Sequence, residues 1–262
     1  MKNAFIIGGS SGIGKATAER FLAEGYSVTN LSRTACPVDG VKNIFADVTD
    51  KREYQKALEK FVRENDYLSA FVYSAGFSMA APLEYAREED YRYLFEVNFF
   101  GYMTALKYLL PPLKKAGGTA VAVSSLGGVV PIAFDAYYSS SKAALNMLTY
   151  ALRAELSSTG VNVVSVMPGG TKTAFTEKRK VYPPAETGEY ALRLESAVKM
   201  LADIEQNGMD ADAVAAVIYR KCVSRPMAHT YAAGAINKLC AAFAKFIPQS
   251  VMLRLLNAVY FS

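Results

Sequence analysis

Gly8-Gly9-Ser10-Ser11-Gly12-Ile13-Gly14 follows the apolar stretch Ala4-Phe5-Ile6-Ile7 and precedes Lys15-Ala16-Thr17-Ala18-Glu19-Arg20-Phe21-Leu22. The order reads as a buried strand, a glycine turn and a helix. Glycines permit backbone angles closed to other residues and let the main chain approach a pyrophosphate. The helix start offers free N–H groups and a positive dipole end to those phosphates. The spacing is Gly-x-x-x-Gly-x-Gly rather than the more familiar Gly-x-Gly-x-x-Gly. Alone, it also describes an ordinary glycine-rich turn.

Working outward, strand-like apolar runs recur at 4–7, 27–31, 43–45, 70–74, 120–124 and 162–166, separated by helical patterns near 15–24, 51–65, 91–111, 136–158 and 190–207. Alternating strands and helices predict an α/β chain, a Rossmann-type doubly wound parallel sheet with right-handed crossovers. Ligands of such sheets bind at the carboxyl ends of the strands. The glycine turn, Ser74-Ala75-Gly76, Ser125 and Pro168-Gly169 all follow strands, so one edge collects them.

At 262 residues, with no linker-like stretch, the chain is expected to be a single domain, 1–262. The 29 basic and 24 acidic residues leave a net charge of +5, too diffuse to predict nucleic-acid binding. Cys36, Cys222 and Cys240 show no metal or redox spacing, so no metal is expected and the thiols suit a reducing compartment. The strand begins with no apolar leader before it, which adds to a cytoplasmic expectation. His229 is the sole histidine, and no Gly-x-Ser-x-Gly elbow supports a hydrolase.

Tyr138-Ser139-Ser140-Ser141-Lys142 carries the second pattern. Residues four apart share a helix face, which sets a phenol beside an ammonium. A phenol titrates near about 10, and a fixed positive charge is expected to lower that toward a useful range. Tyr137, five positions from Lys142, falls on a different face.

With both patterns in hand, the chain resembles the short-chain dehydrogenase/reductase family, closely over about residues 2–175. Gly8, Gly12 and Gly14 fall on the family's nucleotide glycines, with Ser10, Ser11 and Ile13 between them; Ile7 stands where the family has Thr. Asp47-Val48 matches the acidic pair that touches adenine. Ser74-Ala75-Gly76 matches an Asn-Ala-Gly turn with Ser for Asn. Pro168-Gly169, with Thr171 and Thr173, matches the turn that holds the nicotinamide carboxamide. Asn98, Ser125, Tyr138 and Lys142 match the catalytic residues.

The resemblance implies reversible hydride transfer between a nicotinamide and a carbonyl or alcohol. Tyr138 is then the proton donor and Ser125 the oxyanion stabiliser. Lys142 tunes Tyr138 and holds the nicotinamide ribose, and Asn98 anchors a water that reaches Lys142. The second strand ends in Ser32-Arg33 without an acid. A carboxylate there would repel a phosphate, whereas Arg33, with Ser32 and Thr34, can bind one. NADP(H) is therefore expected ahead of NAD(H).

Residues 174–210 are expected to form a substrate lid. Within it, Lys178-Arg179-Lys180 reads as a solvated charge run, or else as cations for an anionic substrate or an acidic carrier protein. The extension, about 226–262, holds two mostly apolar segments too short to span a bilayer. Packing on the core or cleft ranks ahead of contact with a membrane surface. Its resemblance to tails of members that act on steroids, retinoids or long-chain ketones points to a bulky hydrophobic substrate in lipid metabolism, such as a steroid or long-chain ketone, as for a hydroxysteroid dehydrogenase. A beta-ketoacyl thioester reductase and a non-catalytic NADP(H)-binding regulator are the alternatives. A homodimer or homotetramer would pair through helices 91–111 and 136–158.

Overall fold

The computed structural model describes residues 2–224 and 228–261. Met1, residues 225–227 and Ser262 of the expected domain and extension lie outside the described residues. In chain order the elements are β1 (Asn3–Ile7), α1 (Gly12–Ala23), β2 (Ser27–Ser32), β3 (Lys42–Phe45), α2 (Lys51–Glu64), β4 (Ala70–Tyr73), the short β5 (Met79–Ala80), α3 (Glu88–Phe95), α4 (Gly101–Ala116), β6 (Thr119–Val123), α5 (Ala136–Glu155), β7 (Asn162–Met167), the short β8 (Thr171–Lys172) and β9 (Lys180–Val181), α6 (Ala191–Gln206), the short β10 (Met209–Asp210), α7 (Ala211–Val223), β11 (Thr230–Ala232), α8 (Ala235–Phe246) and α9 (Gln249–Phe261).

The main sheet is parallel throughout, in the order β11-β7-β6-β4-β1-β2-β3. β1, β4 and β6 are buried along their whole length, as strands covered on both faces must be. Alternate residues of β1 divide between two apolar cores: Phe5 and Ile7 pack with Phe61, Phe71 and Tyr102, while Ala4 and Ile6 pack with Phe21, Val72 and Ile218. The chain walks outward from β1 to β3, then returns to the far side of β1 as β4. The order reverses there, and a crevice opens beyond the carboxyl ends of those two strands. The Ser74 N–H donates to the Ile7 carbonyl at 2.8 Å and ties the two strand ends together.

Local chemistry sets several boundaries. Asp50 caps α2 by accepting the Glu53 N–H at 2.9 Å, and α4 stops at Gly117, whose φ of +56° suits a glycine. Expectation and structure part at two places. The helix expected over 91–111 is present but not uniform: a π-helical turn at Glu96–Phe100 lies between α3 and α4. There the Tyr73 hydroxyl donates to the Val97 carbonyl at 2.5 Å. The sheet also gains a seventh strand, β11, beside β7. At three residues it is too short to show a pattern, and pairing with β7, not propensity, makes it a strand.

A Cβ at position 101 would lie 2.2 Å from the Tyr73 hydroxyl. Gly101→Ala should therefore cost about 1–3 kcal/mol, the usual penalty of overpacking. Urea denaturation checks this; an unchanged midpoint would show that the π-turn yields freely.

Candidate active site

The glycine turn is a place where main chains touch. Gly8 has φ +86°, and a Cβ there would lie 2.5 Å from the Ala75 nitrogen; a Cβ on Gly14 would lie 2.1 Å from the Gly8 carbonyl oxygen. The Gly9 N–H donates to Asn30 Oδ1 at 2.8 Å, and Asn30 Nδ2 donates to Ser32 Oγ at 2.8 Å and Asn43 Oδ1 at 2.9 Å. Asn30 was not among the residues expected to matter. Its signal was a lone amide in the strand Ser27–Ser32, where it is buried. Ser11 precedes α1 without a side-chain cap bond, so no capping hydroxyl occupies the helix's leading N–H groups. A side-chain-free cradle at a helix start fits a pyrophosphate.

One cavity of about 820 Å³, within the range of small-molecule sites, runs from this turn along the sheet edge. Every site residue named from the sequence lines it except Gly14 and Asn98. Those two act from behind, Gly14 by letting α1 approach the turn. At the adenine-side rim, Arg33 is 70% exposed and sits 3.7 Å from Asp47 Oδ2. Asp47 Oδ1 is held by the Thr49 N–H at 2.9 Å and hydroxyl at 2.8 Å. Lys178 Nζ reaches across from the lid region to Ser11 Oγ at 3.3 Å, so two cations flank this end.

At the other end, Tyr138 and Lys142 both lie in α5 and are buried. Burial raises the Tyr138 phenol above its ordinary value, against the pull of a hydrogen bond with Ser125. This corrects the expectation that Lys142 dominates the phenol. Lys142 Nζ lies 5.6 Å from the ring centroid and donates to the Val123 carbonyl at 3.0 Å. Burial in turn pulls the ammonium down to about 8. Ser125 Oγ accepts the Gly127 N–H at 3.0 Å and is hydrogen-bonded to the Tyr138 hydroxyl, so both hydroxyls face the cavity together. Asn98 accepts the Phe77 N–H and donates to the Phe77 carbonyl, both at 3.0 Å, and to Ser141 Oγ at 3.1 Å. Its side chain thus fixes the Gly76 turn, where a Cβ would meet Asn98 Oδ1 at 3.1 Å and Lys142 Nζ at 3.3 Å.

The run Lys178-Arg179-Lys180 divides: Lys178 is exposed, whereas Arg179 and Lys180 are already engaged by acids. Arg179 is 2% exposed in its side chain; it pairs with Glu205 at 2.5 Å and donates from Nε to Ser78 Oγ at 2.8 Å. Lys180 pairs with Asp90, and β9 pairs with β5. Asp135, which sequence reasoning missed, lines the cavity beside this group. Burial pushes its carboxyl up to about 7; the Arg179 charge and the Met79 N–H pull it back, and Glu205 adds to the rise. Phe134, just before it, holds φ +61°, a strained conformation for a bulky residue, costing on the order of 1–3 kcal/mol. The extension packs on the site: a Cβ on Gly169 would meet the Asn237 side chain of α8 at 2.4 Å, and Tyr260 of α9 lines the cavity.

A family model described as short chain dehydrogenase matches residues 2–182. The chain belongs to that family and is an oxidoreductase of it. Over 260 residues it is 30% identical to a 3-ketodihydrosphingosine reductase of Bacteroides thetaiotaomicron, covering 97% of this chain and 96% of that protein. It is 32% identical over 280 residues to an NADPH-dependent 3-dehydrocapnine reductase of Ornithobacterium rhinotracheale, with 100% and 96% covered. A solved short-chain dehydrogenase from Streptomyces avermitilis is similar in structure, with TM-score 0.83 and 27% identity over 97% of this chain and 94% of that one.

The fall of Lys142 from 10.5 to about 8 corresponds to a burial cost on the order of 3 kcal/mol. Lys142→Met should therefore raise Tm at pH 7 by roughly 5 °C while losing the hydrogen bond to Val123. The sign follows from linkage: the native lysine is charged below about 8, so the gain is full there and fades as pH climbs toward 10.5. Thermal melts across that window check it; a lower Tm at pH 7 would mean that the ammonium is well compensated.

Proposed function

We propose that the chain is an NADP(H)-dependent reductase of long-chain, lipid-like ketones. One observation carries the reading: Ser125, Tyr138 and Lys142 line the same cavity as the glycine cradle and an apolar wall from α6 and α9. The glycine cradle would hold the dinucleotide's pyrophosphate, and the bound cofactor would supply the hydride for the substrate carbonyl carbon. Tyr138, kept protonated by burial, hands its proton to the carbonyl oxygen as charge grows there. Ser125 donates a hydrogen bond to the same oxygen. Lys142, its ammonium pulled down to about 8 by burial, is suited to return a proton to Tyr138.

Support for NADP(H) comes from the absence of an acid at the end of β2, from Arg33 and Lys178 at the rim, and from the NADPH named for the relative from Ornithobacterium. Support for a lipid-like ketone comes from the names of both relatives and from Leu201, Ile204 and Tyr260 in the cavity wall. A carrier-bound thioester is less favoured, because Arg179 and Lys180 are already paired. Residues 174–210 act as the lid of this site. Pairing between copies through the helices 91–111 and 136–158 is supported by Phe100, Met103, Met147 and Tyr150, which are exposed on them. Among the described residues no helix is long and apolar enough to cross a membrane.

Tyr138→Phe should lower kcat by about 10²- to 10⁴-fold, the usual worth of a general acid, while the protein still binds NADPH. Stopped-flow turnover and fluorescence titration check this; undiminished turnover would remove Tyr138 from the chemistry. Arg33→Ala should raise the KM for NADPH by about 10- to 100-fold, the worth of a charged hydrogen bond, with little effect on NADH. Equal losses for both nucleotides would place the 2′-phosphate elsewhere.

A further inference from the structure

Residues after Asp212 hold six lysines and arginines and no acid. They account for the whole net charge of +5 and leave the rest of the chain close to neutral. Much of this basic segment is α8 and α9, and both helices are two-faced. Their inner faces pack, as expected: Ala241 of α8 is buried with Met167 and Ala232, and Leu256 and Tyr260 of α9 pack with Ala197 and Leu201. Their outer faces stay open. Ile236, Leu239, Phe243 and Phe246 recur at helical spacing along α8 and are 60–85% exposed. Val251, Leu255 and Val259 repeat the stripe along α9 and are 42–57% exposed. Large apolar side chains set in a row, rather than scattered singly, mark an interaction surface.

The charge on α8 is unopposed. Lys238 and Lys245, seven positions apart, run along one flank of its stripe and are exposed. At the end of α7, the Lys221 ammonium is pulled below its ordinary value by burial and then by the Arg220 and Lys238 charges. The two helices thus bring their cations close together. Among the described residues, Arg220, Lys221, Lys238, Lys245 and Arg254 enter no salt bridge.

The chemistry of the occupant follows from what this face lacks. A second copy seated face to face would set these cations against one another with no acid to offset them. Protein interfaces are fixed by directional hydrogen bonds and are depleted in lysine. The outer side of α8 offers lysines and no hydroxyl, and the helix's one amide, Asn237, donates to the Ala233 carbonyl at 2.6 Å. An anionic surface over an apolar interior needs no such directional groups. Apolar side chains enter it, and lysine stems carry their charge back to its headgroups.

We propose that the outer face of α8 seats the protein on the surface of a lipid bilayer that contains anionic phospholipid. The contact is peripheral, with the helix lying in the plane of the headgroups. α9 follows after Ile247 and Pro248, and its Tyr260 lines the cavity. The proposal concerns where the protein sits and holds whatever substrate the cavity takes.

Flotation of the full chain with vesicles tests this, comparing phosphatidylcholine alone with an equal mixture of phosphatidylcholine and phosphatidylglycerol. The mixed vesicles should bind about 10- to 30-fold more tightly. Lys238→Gln with Lys245→Gln should remove most of that difference. Lys56→Gln with Lys60→Gln, the same charge change at exposed positions of α2, should remove little of it. Leu239→Ser with Phe243→Ser should weaken binding to the mixed vesicles by at least about 10-fold. A nitrobenzoxadiazole label on Cys240, the exposed thiol of α8, should brighten as those vesicles are added. No binding to the mixed vesicles, an equal loss in the α2 pair, or binding that leaves the label dark overturns the proposal. Self-association in sedimentation velocity that Leu239→Ser with Phe243→Ser abolishes, without vesicle binding, would give the face to a second copy and overturn it likewise.

Discussion

Everything in the site depends on main chains that approach too closely for side chains. The turn after β1, the turn after β4 and the start of α1 meet at Gly8, Ala75 and Gly14, with hypothetical Cβ contacts of 2.5 and 2.1 Å. Steric exclusion, more than any single bond, lets the sheet reverse its order at β1 and β4 and leaves a crevice there. The rule continues to the chemical end, where Gly76 lets Asn98 and Lys142 close on the same turn. A cradle and a set of proton-handling groups thus share one rigid edge, held by backbone geometry rather than by flexible side chains.

Burial then sorts the titratable groups. It lifts the phenol of Tyr138 and the carboxyl of Asp135 and lowers the ammonium of Lys142. All three are pushed toward their neutral forms, as desolvation demands. For Tyr138 that means holding a proton until negative charge develops on a partner; for Lys142 it means readiness to release one. Stability is given up at this edge, in an unbalanced lysine, an uncapped helix start and a left-handed phenylalanine, as is common where function needs groups out of their preferred state.

Much of this was legible in the chain. Apolar runs placed six strands of the main sheet, and glycine punctuation placed the turns that follow them, because both are local consequences of period and backbone freedom. The residues expected at the site converge on one cavity for the same reason: strand ends in a parallel sheet share an edge. Tertiary contacts supplied the rest. β11 is a strand because β7 is there to pair with it, and the helix expected over 91–111 takes on a π-turn where Tyr73 and Gly101 meet. Asn30 and Asp135 carry ordinary polar side chains whose meaning appears only when a turn or a cavity is set against them. Arg179 and Lys180 looked as solvated as Lys178 because their partners, Glu205, Ser78 and Asp90, are distant in sequence.

The cavity is lined by both Gly8 and Tyr260, residues near opposite ends of the chain. Such a lining makes the two walls of the pocket answer to different parts of the fold. The glycine cradle belongs to the central strands, which open only with the whole domain, whereas the wall containing Tyr260 rests on α9, an outer helix with much exposed apolar surface. Outer elements of this kind detach locally at much lower free energy than core strands. The two walls of the pocket therefore sense different breathing motions, and one outer helix can fray while the glycine cradle stays intact.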